Sequence, residues 1–136
     1  MENSAPKVLA GRAIVRRFPA HPSSLHTIRE FVSDQAVEAG LPTEDAIDLA
    51  LAVSEAGTIS VCDTNSSMIE VSWQATADRV VISVKDDGVY SPDSSTRTNG
   101  TMGIALIRGL VDDFHFQKGT QLEPGNLARL VKHRRR

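Results

Sequence analysis

Residues 49–56 read Leu-Ala-Leu-Ala-Val-Ser-Glu-Ala, an apolar run interrupted only by Ser54 and Glu55. The run lies in a helix predicted to begin near Thr43, just after Pro42, with Ile47, Ala50, Leu51 and Val53 as its apolar stripe. Ile47, Leu51 and Glu55 are spaced by four and so share one helix face. A carboxylate in line with a buried stripe is costly unless it is paired or faces a cavity. Glu55 is therefore either a boundary glutamate that closes the stripe or a general base looking into a pocket. Periodicity alone favours the boundary.

Working outward from that helix, Ala13 to Pro19 predicts a short first strand closed by the Pro19-Ala20-His21-Pro22 turn. Ser23 or Ser24 can cap a helix on which Leu25, Ile28, Phe31, Val32 and Ala36 recur, and Gly40 ends it. Downstream, Met68 to Ala75 and Val80 to Val84 are β-rich runs separated by a turn at Thr76-Ala77-Asp78. A polar stretch from Ser91 to Gly100 cannot build a core and reads as a long loop of the lid kind. A third helix over Met102–Leu110, the Phe114-His115-Phe116 segment and a last strand near Leu127 to Val131 follow. Such an order predicts an α+β fold with helices packed on one face of a mixed, mostly antiparallel sheet.

The chain has 136 residues, enough for one modest core but not two. Its formal net charge of -2 gives no global footprint for nucleic acid. The basic end, Lys132 to Arg136, is the exception, and it reads as a solvated terminus. A single cysteine, Cys62, excludes an internal disulfide framework. The polar start, Met1 to Lys7, has no apolar signal-like core, and no apolar run reaches membrane-spanning length. A soluble cytoplasmic protein without direct nucleic-acid or membrane partners is expected.

Two further segments carry possible chemistry. Asp86-Asp87-Gly88 ends a strand, where an aspartate can accept from an exocyclic amine and a glycine admits close approach to the backbone. Alone it is an ordinary turn signal. Asn99-Gly100-Thr101-Met102-Gly103 stands at a loop-to-helix junction, where free N–H groups and the helix dipole can hold phosphate. No P-loop, GxGxxG, HExxH or GxSxG pattern occurs. The four histidines, His21, His26, His115 and His133, show no metal-ligand spacing and read as surface or packed residues.

Taken in order, LALAVSEA, VKDDG and NGTMGIALIRGLVDDFHF resemble the N, G1 and G2 boxes of GHKL ATPases. More narrowly they resemble the small anti-sigma factor serine protein kinases, over about Phe18 to Val131. The resemblance implies a two-layer domain over residues 13–133, between a lead-in at 1–12 and a basic tail at 134–136. It implies ATP between helices and sheet, with Mg²⁺, under a lid at Ser91–Gly100. By position, Glu55 matches the glutamate that activates a substrate serine, Asp86 the aspartate that bonds the adenine amine, with Gly88 beside it. Thr101, Met102 and Gly103 fall on the phosphate-side segment. Implied partners are a sigma factor, a STAS-type antagonist and a second copy of the chain.

Three positions depart from the pattern: Ile59 replaces a Mg²⁺-binding asparagine, Tyr90 the second G1 glycine and Thr101 a middle G2 glycine. An alternative is thus a binding module that sequesters its partner without phosphoryl transfer. A detached histidine-kinase ATPase domain, with His26 as the phosphate acceptor, is a third reading.

Overall fold

The computed structural model describes residues 13–91 and 100–134, with only the backbone described at residues 100–102. Strand β1 (Ile14–Pro19) leads into α1 (Ser24–Glu38) and α2 (Thr43–Cys62). A hairpin of β2 (Met68–Ala75) and β3 (Arg79–Asp86) follows, then α3 (Gly100–Leu110), β4 (Asp113–Gln117) and β5 (Leu127–His133). The strands form one sheet in the order β1-β2-β3-β5-β4. Each described pairing is antiparallel, so the antiparallel part of the expected mixed sheet accounts for all of it.

Alternation along the strands builds the core. Ile69, Val71 and Trp73 of β2, Val80, Ile82 and Val84 of β3, and Ala128 and Leu130 of β5 are buried. Their neighbours Glu70, Ser72, Lys85 and Arg129 are exposed or half-exposed on the opposite face. The helices close the apolar face, α1 packing on α2 and α2 on α3. Ile28, Phe31, Val32 and Ala36 of α1 are buried as their spacing predicts. Gly40 then takes φ 77°, and Leu41 N donates to Ala36 O at 3.1 Å, a left-handed helix stop that suits a residue without Cβ. Ser23 precedes α1, but its hydroxyl lies 2.8 Å from Nδ1 of His21 and makes no bond to the helix end.

Two sequence expectations are corrected. Ile47 and Leu51, expected in the buried stripe of α2, are 61% and 40% exposed. The buried face runs instead through Ala46, Leu49, Ala50, Val53, Ala56 and Ile59. So many alanines on this helix make its apolar residues uninformative about which side is covered. The basic end is not a free tail through Arg134 either. Lys132 is buried in β5, and its Nζ donates to Leu110 O at 2.9 Å, capping α3, with Asp48 at 3.5 Å. Arg134 donates from Nη1 to Thr76 O and from Nη2 to Ala39 O, joining the β2–β3 turn to the end of α1.

Candidate functional site

The end of β3 and the second half of α2 meet in a buried polar cluster. Asp86, the last residue of β3, is 6% exposed, and Ser60 on α2 is 3% exposed. Ser60 Oγ donates to Asp86 Oδ2 at 2.6 Å. Oδ1 of Asp86 accepts from Gly88 N at 3.0 Å, Asn126 N at 3.2 Å and Asn126 Nδ2 at 2.8 Å. The buried carboxylate is thereby satisfied by groups from α2, from the turn after β3 and from the residue before β5.

Asn126 is itself used at both ends of its amide. Its Oδ1 accepts from Gly119 N at 2.6 Å, and Nδ2 also donates to Gly88 O at 3.2 Å. These partners fix which end of the amide is oxygen. Neither Ser60 nor Asn126 stands out in the sequence. Ser60 looks like one more small residue of α2, and Asn126 follows Pro124-Gly125, an ordinary turn signal.

Gly88 serves the protein's own packing. A Cβ there would collide with Ser66 Oγ and come within 2.8 Å of Ser66 N. The neighbouring Asp87 turns outward and binds the start of β2. Ser67 Oγ donates to it at 2.6 Å and Ser67 N at 2.8 Å. The Ser67 hydroxyl, ahead of the backbone donors, holds the Asp87 carboxyl below its usual value of 3.8.

Tyr90 is folded back on the domain. Its N donates to Gly119 O at 3.1 Å, it bridges Thr64, and Ser91 N donates to Asp63 O at 2.7 Å. The Tyr90 ring meets Phe116 edge-on at 5.2 Å, with Lys118 Nζ 5.5 Å from the ring centre.

Glu55 is half-buried on α2, one turn before Ile59. Because Ile47 and Leu51 on the same face are exposed, Glu55 continues the open side of the helix, not its core stripe. Arg29 of α1 donates to Ser54 Oγ at 2.9 Å, bracing this turn. Ile59 is 1% exposed and belongs to the hydrophobic core. Its side chain has no oxygen for a hard cation, so the residues present do not fit Mg²⁺ at this position.

The α3 end of the site begins earlier than expected. Thr101, Met102 and Gly103 lie in the first turn of a helix that starts at Gly100. The N–H groups that an α-helix leaves without intrahelical partners belong here to residues 100–103. Of the expected lid, Ser91–Gly100, residues 92–99 lie outside the described residues, as do the Thr101 and Met102 side chains. His26 is exposed beside Glu30 at 3.3 Å, an ordinary helix-surface pair. No described helix is long and apolar enough to cross a membrane.

Residues 18–132 match the histidine kinase-like ATPase domain family. The chain is 31% identical over 124 residues to the serine-protein kinase RsbW of Bacillus licheniformis, covering 76% of this chain and 77% of that one. Among solved structures it resembles the RsbU and RsbW domains of a Mycobacterium tuberculosis protein, with a TM-score of 0.73 at 19% identity. That likeness covers 93% of this chain but only 34% of the larger one, and at this identity it concerns the fold.

Proposed function

This chain belongs to the histidine kinase-like ATPase family as a relative of the serine-protein kinase RsbW, and from that premise we propose that it is a partner-switching regulator of transcription. In this role it acts as an anti-sigma factor. It takes ATP against Asp86, with the phosphates toward the first turn of α3, and phosphorylates a serine on a STAS-type antagonist. Glu55 takes up the proton of the attacking hydroxyl. Phosphate on that serine weakens the antagonist's hold by adding charge at the interface.

The observation that carries this is the bond between Ser60 and Asp86. It locks the helix bearing Glu55 to the strand end that would receive the adenine amine. The residues proposed for proton transfer and for base recognition thus stand on a single braced unit.

Ile59 favours a second reading, in which the same fold holds its sigma factor or antagonist without transferring phosphate. Phosphoryl transfer depends on a metal to neutralise the phosphates, and residue 59 cannot ligate one. Incubation of the protein and Glu55→Gln with labelled ATP, Mg²⁺ and the cognate antagonist separates the two. Phosphoserine formed by the parent and lost in the variant supports the kinase. Stable antagonist binding with no phosphoserine leaves the holding module.

A further inference from the structure

We propose that Lys132 is a positioning residue for the phosphates of the nucleotide. Its ammonium fixes α3, whose first turn would face them, against α2, which bears Glu55. The inference rests on the proposed nucleotide site and adds to it a residue outside the three sequence boxes.

The side chain stands where the strand pattern calls for an apolar one. Ala128 and Leu130 precede it on the inner face of β5, and both are buried. Lys132 is 5% exposed at the next inward position. A buried ammonium is costly unless it is paired, and a well-packed apolar residue often serves stability as well or better. What distinguishes the ammonium is the set of groups it reaches.

Nζ donates to the carbonyl of Leu110, the last residue of α3, at 2.9 Å, and lies 3.5 Å from Asp48 Oδ2 on α2. One group thereby meets both helices of the site. Asp48 stands about two turns before Glu55 on the same helix. Leu110 ends a helix of 11 residues that opens at Gly100, with the N–H groups proposed to face phosphate. Such a helix is about 16 Å long, and a pin at its last carbonyl sets the position of its first turn. The cation also lies at the negative end of the α3 dipole and leaves the positive end for an anion. Without the ammonium α3 keeps its packing on α2 but loses this polar tie between them.

Base and phosphates should then respond differently. The bonds that hold Asp86 at the adenine end come from Ser60, Gly88 and Asn126 and do not involve Lys132. The probes are ATP and AMP, which carries the same base with a single phosphate. ATP is titrated by calorimetry, and AMP is measured by competition against it. The proteins are the full chain, Lys132→Met and Asp48→Asn, with circular dichroism for folding. Methionine keeps the length of the stem without the donor. Asp48 is half-exposed, and Asp48→Asn leaves the carbonyl cap while weakening the tie to α2. It decides the question if Lys132→Met unfolds.

Lys132→Met should weaken ATP roughly five- to tenfold and leave AMP within about twofold, so that the ATP-to-AMP affinity ratio falls. Asp48→Asn should lower the ratio by a smaller factor. Folded variants whose ratio stays at the parent's, whatever their stability, overturn the positioning role and leave the nucleotide site standing. A folded parent that binds neither nucleotide overturns both.

Discussion

The side chains of Asn126 and Asp86 meet at 2.8 Å in the interior, tying the start of β5 to the end of β3. The contact matters because Asn126 also holds Gly88 O and Gly119 N, so one amide organises three stretches of backbone. Replacing it with Leu leaves Gly119 N without its partner and takes one bond each from the Asp86 carboxylate, which keeps Ser60 and two backbone donors, and from Gly88 O, which keeps Gly125 N. Asn126→Leu is expected to lose about 2–4 kcal/mol of stability, measured by chemical denaturation. A loss within the range of a surface substitution would mean that the amide is not the organiser described.

Gly88→Ala should be destabilising in spite of its small size. The added Cβ meets the Ser66 backbone as well as its hydroxyl, and the backbone cannot rotate away. Overpacking of this kind costs about 1–3 kcal/mol. Adding Ser66→Gly relieves the hydroxyl clash alone, so a double-mutant cycle in thermal melts should recover only part of the loss.

Ile59→Asn is expected to pull in two directions. Burying an amide where Ile59 packs should cost about 2–4 kcal/mol. The same change supplies the oxygen that a hard cation requires. ATP affinity of the variant should therefore gain a magnesium dependence larger than the parent's, read by calorimetry with Mg²⁺ and with chelator. An equal response in both proteins would place the metal question elsewhere in the site.

The Asp87 carboxyl lies below its usual value because of Ser67, and this has a sign in pH. A group whose folded pKa is depressed stabilises the fold above its unfolded value and loses that contribution as pH falls through the folded one. Ser67→Ala should thus lower stability at neutral pH. The difference from the parent should close as pH drops below 3.8 and through the lower folded value. Both residues are exposed to solvent, so the effect is modest and shrinks with salt. A gap that stays constant down to acid denaturation would assign it to packing.

Much of this architecture was legible in the residues. Gly40, the Thr43 helix start and the Met68–Ala75 strand fall where periodicity and stop signals put them. The face of α2 was not legible, because alanines let either side of a helix be buried and neighbouring helices decide. Ile47 and Leu51 were misplaced for that reason. Lys132 and Arg134 looked like a solvated run because charge patterning carries no sign of the carbonyls they reach. At the site, Glu55 and Asp86 could be singled out by their boxes. Ser60 and Asn126 could not, since a hydrogen bond spanning 26 or 40 residues leaves no local trace.

The most direct test of the nucleotide site is a calorimetric titration of the protein and of Asp86→Asn with ATP. Asparagine keeps the shape of Asp86 and exchanges one acceptor for a donor. The account predicts saturable ATP binding by the parent and a loss of more than about tenfold in a variant that remains folded. A folded parent that does not bind ATP, or an Asp86→Asn protein that binds it equally well, would contradict it.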